Sequence, residues 1–326
     1  MILMTALLII GGLALLIAGG DIMVRGAVGV ATRLGVSPLV IGLTLVGFGT
    51  STPELVTSVQ ASMAGSPGIA VGNIVGSNIA NTLLIMGVAA LVAPVAVSSA
   101  SLKRDGGIMI AAVVLFAALS AVADLGRLTG MVFVFLLIAY VVFSFRQEQT
   151  APADHGAAYD KGLAALEVDE GFSPSRASSL GWSLALALGG LVLVMIGGKF
   201  LVDGAVALAR GYGISETVIG LTIVAVGTSM PELVTSVVAA IRRQSEVAFG
   251  NVVGSNLYNI LGIGGVTALI APTTVPPEMV RFDNLIMVGV SLVLFAFAWT
   301  GLRIGRREGG LLVCGYLLYL VVLWPK

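Results

Sequence analysis

One histidine and one cysteine in 326 residues leave little material for transition-metal or thiol chemistry. His155 lies in a polar stretch away from every repeated motif, and Cys314 sits in an apolar run near the C-terminus. A lone cysteine closes no internal disulfide, and we read it as a packing residue. Charge is scarce as well: Asp, Glu, Lys and Arg make up 10% of the chain, against about 25% in ordinary soluble proteins. The two signs balance at 17 each, with no basic cluster to meet a nucleic acid. What remains is apolar, 57% hydrophobic residues with a mean hydropathy of +1.05. Such a chain belongs in a lipid bilayer, as an all-α integral membrane protein and not an enzyme.

The first apolar run, Ile2 to Ala18, has neither a basic n-region nor an A-x-A site. It is therefore expected to stay as the first membrane helix rather than leave as a signal peptide. A helix needs about 20 mostly apolar residues to cross the hydrocarbon core. That measure predicts ten spans: 3–30, 38–64, 70–92, 106–124 and 127–145, then 180–208, 216–241, 247–270, 283–301 and 308–324. Residues 1–145 and 180–326 form two five-helix repeats, and 146–179 is a polar linker carrying Pro152, Pro174, Glu167, Asp169 and Glu170.

The halves match at one fixed offset. GTSTPELVTSV, from Gly49, returns as GTSMPELVTSV, from Gly227, with ten of eleven positions identical. GNIVGSNIAN, from Gly72, returns as GNVVGSNLYN, from Gly250, with seven of ten identical. The same offset of 178 residues maps Ala93-Pro94 onto Ala271-Pro272 and Asp105 onto Asp283. A gap-free match this long is a duplication. Five spans per half is odd, so the second half enters the membrane from the opposite side, the inverted repeat of many secondary transporters. With the N-terminus outside, twelve Lys and Arg fall on the cytoplasmic side and four on the other, which predicts that orientation and a cytoplasmic linker. A plasma (inner) membrane location is expected.

The repeated stretches place polar groups where lipid should be. On a helix, Gly47, Thr50, Ser51 and Glu54 share one face through steps of three and four. Pro53 lacks an amide hydrogen, which frees the carbonyl of Gly49 and bends the helix; Pro231 does the same for Gly227, beside Thr228, Ser229 and Glu232. Asn73, Ser77 and Asn81 step by four along the next helix, as do Asn251, Ser255 and Asn259. Glycines 72 and 76, with 250 and 254, have the small-residue spacing that lets helix backbones approach. Two such helix pairs meeting at mid-membrane form an all-oxygen cage. Oxygen cages suit hard cations, and Ca²⁺ takes six to eight oxygens at about 2.3–2.6 Å. Without paired His or Cys ligands, zinc and copper are poor candidates.

The remaining polar residues read as structural. Asn73 and Asn251 either tie helices together or join the cage. Asp21 with Arg25, and Lys199 with Asp203, are spaced to neutralise each other along a helix. Asp105 and Asp283 are predicted helix caps. Thr57, Ser58, Thr235 and Ser236 fit bonds to their own helices better than ion binding.

At its two repeats the chain resembles the cation/calcium exchanger superfamily, specifically prokaryotic sodium/calcium exchangers. The signature G-T-S-x-P-E followed by G-N-x-x-G-S-N stands intact in each half. The resemblance implies ten helices in a five-plus-five inverted repeat, with ion sites between helices two, three, seven and eight. It implies cation ligands at Thr50, Ser51, Glu54, Ser77 and Asn81, and at Thr228, Ser229, Glu232, Ser255 and Asn259. Carbonyls of Gly47 and Ala225 join them, Gly47 standing where some relatives have alanine. The position of Asn259 is aspartate in some members, including potassium-dependent ones, so the asparagine here leans toward potassium-independent exchange. The implied activity is antiport of Na⁺ against Ca²⁺, both bound as substrates, with no resident cofactor. A proton-coupled calcium antiporter is the nearest alternative, and a passive cation channel or a membrane scaffold are more distant ones. Oligomeric state is not legible.

Overall fold

The structure is a computed structural model that describes residues 2–33, 51–150, 179–241 and 245–323. Helices follow one another along these residues. The first half gives α1 (Ile2–Arg33), α2 (Thr52–Met63), α3 (Pro67–Val92), α4 (Leu102–Val122, after a short lead-in turn) and α5 (Arg127–Thr150). The second gives α6 (Leu180–Tyr212), α7 (Glu216–Thr228 and Met230–Ile241), α8 (Ser245–Leu257, continuing to Ile270), α9 (Met279–Trp299) and α10 (Arg306–Leu323). Six of them are long and apolar enough to cross a membrane, and a seventh, α7, is bent by 52° at its break. Helix α5 runs on to Thr150, into residues that sequence composition assigns to the linker.

Helices α3 and α8 are the centre of the bundle. Their most apolar windows are 83% buried, whereas those of α4, α5, α6 and α9 are 28–39% buried and present most of their surface outward. Every residue from Gly68 to Ala80 is buried. A helix apolar on all sides and enclosed by others forms a core, and its few polar residues must then find partners inside the protein.

Small residues set the closest approaches. Gly12, Gly19 and Gly26 recur every seven residues on α1, and their equivalents Gly190, Gly197 and Gly204 recur on α6. The two long helices pack along these stripes. A Cβ on Gly197 would lie 2.8 Å from the Leu16 amide nitrogen and 2.9 Å from the Gly12 carbonyl oxygen. In the same way Gly87 of α3 faces Gly309 of α10, and Gly265 of α8 faces Gly130 of α5. The contact between α3 and α10 is thus the repeat image of that between α8 and α5.

The loops show that the duplication is inverted. Val95–Ala96, between α3 and α4, pairs antiparallel with Arg303–Ile304, between α9 and α10. At the other end of α4, Leu125 pairs with Thr273, between α8 and α9. Thr273 is the repeat equivalent of Val95, yet the two lie at opposite ends of the bundle. Equivalent loops on opposite faces are what an inverted repeat requires.

Two sequence expectations are corrected here. Asp105 and Asp283 make no side-chain cap bond: each lies near the end of a π-helical turn, Leu102–Gly106 and Met279–Asp283, and each accepts a tyrosine hydroxyl, Tyr140 at 3.0 Å and Tyr319 at 2.8 Å. The cap at the start of the fourth helical segment is Ser98, whose hydroxyl accepts from the Ser101 amide at 3.0 Å. A buried carboxylate gains more from a fixed hydroxyl donor than from the diffuse charge of a helix end. Cys314 is exposed on α10 rather than packed. Lys199 and Asp203 do pair, at 3.1 Å, while the side chain of Asp21 lies outside the described residues.

Replacing Gly197 by valine forces α1 and α6 apart and is expected to cost about 1–3 kcal/mol. The measurement is the thermal unfolding midpoint in detergent, with Gly189→Ala as control, since nothing lies within 4 Å of a Cβ there. Equal midpoints for the two variants would contradict the packing role of the stripe.

Candidate functional site

Each repeated motif places its glutamate in the first turn of a helix. Glu54 is in the first turn of α2, with Pro53 beside it, and Glu232 is in the first turn of the second segment of α7. Proline suits this position because its missing amide hydrogen would have no partner there in any case. The break in α7 falls at Ser229 (φ −85°, ψ 11°), just before Met230 and Pro231. A helix N-terminus leaves its first backbone N–H groups without intrahelical partners, so acceptor groups are well placed there.

Both glutamates are buried, Glu54 2% and Glu232 1% exposed, so neither faces lipid. Glu54 reaches across the duplication: its Oε1 accepts the Ser229 hydroxyl at 3.0 Å. Ser229 lies one turn before Glu232 on α7, so the carboxylate of the first half is joined directly to the glutamate-bearing motif of the second. Around this bond, polar contacts run between the halves. Ser77 Oγ is 3.5 Å from the Ala225 carbonyl, Thr228 Oγ1 donates to Asn73 Oδ1 at 3.0 Å, and Asn81 Nδ2 donates to Asn256 Oδ1 at 3.1 Å. Ser51, Ser255 and Asn259 are buried too. Gly47 and Thr50 lie outside the described residues.

The asparagines of the central helices divide into two roles. Asn73 donates from Nδ2 to the Glu54 carbonyl at 3.1 Å and to Ser58 Oγ at 2.9 Å. Asn251 repeats this with the Glu232 carbonyl at 3.3 Å and with Thr235 and Ser236, both at 2.8 Å. These two tie α2 to α3 and α7 to α8, holding each glutamate segment against its central helix. Asn81 and Asn259, by contrast, lie at the start of π-helical turns, Asn81 as the first residue of Asn81–Ile85 and Asn259 as the second of Tyr258–Ile263. A π turn inserts an extra residue into the helix and re-aims the side chains beside it.

Thr228 departs from a simple ligand. Its hydroxyl also lies within hydrogen-bond reach of the Val224 and Ala225 carbonyls, at 3.0 and 3.3 Å. A hydroxyl has one proton and two lone pairs, so donation to a neighbour leaves its oxygen able to accept a cation. Ser51 Oγ and Asn81 Oδ1 are buried oxygens with no hydrogen-bond donor among the described residues. Ser51 also edges a cavity of about 20 Å³ closed by Leu55, Tyr258, Gly262, Ile263 and Val266. No group of three or more His, Cys, Asp or Glu side chains gathers among the described residues. Each buried carboxylate thus has neutral hydroxyl and amide groups around it, the oxygen-rich kind of surroundings that suits a hard cation.

Asn256 escapes the sequence reading. It accepts from Asn81 and donates to Thr82 Oγ1 at 3.0 Å, joining α8 to α3. It stands within the repeated G-S-N, but off the 251, 255, 259 face, and a one-face helical pattern passes over it. Tyr258 was equally invisible: it is fully buried where the first half has Ala80.

A bundle built on an inverted duplication, with a buried carboxylate in each repeated motif and the first of them bonded to the other motif, has the organisation of a membrane ion transporter. The profile described as sodium/calcium exchanger protein matches residues 4–146 and again 182–324; the chain belongs to this family. The sodium/calcium exchanger MaX1 of Methanosarcina acetivorans is 38% identical over 99% of both chains. The inner membrane protein YrbG of Escherichia coli is 34% identical over 99% of this chain and 98% of its own. Among solved structures, the sodium-calcium exchanger NCX_Mj soaked with Na⁺ and Sr²⁺ superposes with a TM-score of 0.65 and 31% identity, covering 100% of both chains.

Asn256→Ala strips Asn81 and Thr82 of a buried partner and is expected to destabilise the protein by about 1–3 kcal/mol. A lowered unfolding midpoint in detergent is the expected reading, and an unchanged one would show that the bond ties nothing.

Proposed function

We propose that the protein exchanges Na⁺ for Ca²⁺ by alternating access, with Glu54 and Glu232 sharing the carried cations. The observation that carries this reading is the Ser229–Glu54 bond, which joins the two signature motifs inside a buried set of oxygens in a chain of this family. The ligand set is Thr50, Ser51, Glu54, Ser77 and Asn81 with Thr228, Ser229, Glu232, Ser255 and Asn259, plus the carbonyls of Gly47 and Ala225. Ten spans, an external N-terminus, a cytoplasmic 146–179 linker and a plasma membrane location complete the proposal, with no resident cofactor.

Two ionised glutamates without a cation leave the site with a charge near −2. Even one unpaired charge at the bilayer centre costs at least about 2.5–3.5 kcal/mol, which opposes a change of access in that state. One Ca²⁺ neutralises both carboxylates, and so do Na⁺ ions on neighbouring oxygens. Loaded carriers switch and unloaded ones do not, so the protein exchanges ions rather than leaking them. The Ser229 hydroxyl fits this cycle. Its proton stabilises the Glu54 carboxylate, and rotation turns a lone pair toward an arriving cation. Na⁺ and Ca²⁺ contest the same carboxylate oxygens, so a sodium gradient drives calcium the other way.

Purified protein in liposomes, given labelled Ca²⁺ with Na⁺, K⁺ and pH gradients imposed one at a time, is expected to take up calcium only against Na⁺. Uptake driven by a proton gradient would favour the proton-coupled alternative, and uptake without any gradient a channel. Glu54→Gln and Glu232→Gln are each expected to abolish uptake while leaving a monodisperse protein. Retained flux in either would remove that residue from the site.

A further inference from the structure

A groove of about 460 Å³ runs between α9 and α10, floored by Leu83 of α3. Its walls include Phe282, Val290 and Phe297 from one helix and Leu311 and Gly315 from the other. Phe282 and Phe297 are about 22 Å apart along the helix, longer than the roughly 15 Å of a single hydrocarbon leaflet. Tyr140 and Tyr319, which bind equivalent aspartates, align α5 with α10, and that alignment sets Leu136 where Gly315 stands.

One end of the groove is basic. Phe297 and Leu311 lie toward the connection that carries Arg303, Arg306 and Arg307, all exposed. Arg307 is four residues before Leu311 and so shares its helix face. Arg306 donates to the Val92 carbonyl at 3.3 Å. The one carboxylate on the same turn, Glu308, is turned to the Gly305 amide at 3.0 Å. Arg303 and Arg307 form no ion pair among the described residues. At the same end Lys103 stands 5.8 Å from the centre of the exposed Trp299 ring, and tryptophan with basic residues marks the headgroup level of a membrane.

We propose that this groove binds an anionic phospholipid, with one acyl chain laid between α9 and α10 over Leu83 and the headgroup phosphate held by Arg303 and Arg307. An acyl chain fits an apolar channel longer than a leaflet, and the arginines select negative headgroups from the adjoining leaflet. Basic pockets between membrane helices bind anionic lipids by this chemistry.

The test is native mass spectrometry of delipidated full-length protein titrated with phosphatidylglycerol or phosphatidylcholine. Phosphatidylglycerol is expected to bind in preference, and Arg303→Gln and Arg307→Gln each to reduce that preference about fivefold. Gly315→Leu fills the groove with the residue the other half carries, and its Cβ would meet Leu83 at an ordinary 3.6 Å. It is expected to lose the bound lipid at an unchanged unfolding midpoint. Leu311→Trp, at an exposed position on the groove wall, gives the same readout should Gly315→Leu fail to fold. Equal binding of the two lipids by the unaltered protein, or full retention after the groove is filled, would overturn the proposal.

Discussion

Two carboxylates buried where water cannot reach them impose the rest of the architecture. Carboxylates buried inside a bundle need protein partners, and the chain supplies them. Hydroxyl and amide donors close on Glu54 and on the Glu232 segment, and lipid is kept away by the surrounding helices. Several of these donors cross between the halves. Glu54 takes its proton donor from Ser229, Asn73 is bound by Thr228, and Asn81 is bound to Asn256. The two halves of the duplication are thus bonded to each other through the repeated motifs.

The helices serve the same end. α3 and α8 lie at the centre because their glycines admit neighbouring backbones at contact distance; a Cβ on Gly76 would sit 2.8 Å from the Leu221 Cα. Close backbones bring side chains as short as serine within reach of one another across the interface. The π turns at Asn81 and Asn259 re-aim those side chains without ending either helix. α1 and α6, joined to each other along matched glycines, form a long pair outside this centre, with a separate apolar cluster around Leu16, Val194 and Leu201.

Much of this was legible before any coordinates. The ends of α3, α5, α6 and α9 fall within a few residues of where apolar run length and the Ala-Pro and Gly signals place them, because a bilayer leaves a helix few other options. The bend at Pro231 and the face shared by Ser229 and Glu232 follow from proline chemistry and helical spacing. Less visible was anything that depends on a particular partner across the bundle. Asn256 lies off the periodic face, Tyr258 replaces an alanine without altering the hydrophobic pattern, and π turns have no compositional mark. Asp105 and Asp283 were misplaced for a related reason: a carboxylate near a helix start suggests a cap, and only the fold reveals Tyr140 and Tyr319. The groove beneath Gly315 likewise becomes visible only when two unlike halves are compared in space.

The central claim is that both glutamates hold one and the same divalent ion. It is tested most directly by an experimental structure of the protein soaked with Sr²⁺, located by its anomalous scattering. The account predicts a single strong peak with oxygens of both Glu54 and Glu232 in its coordination shell. A peak touching one glutamate alone, or lying away from α2 and α7, would contradict it.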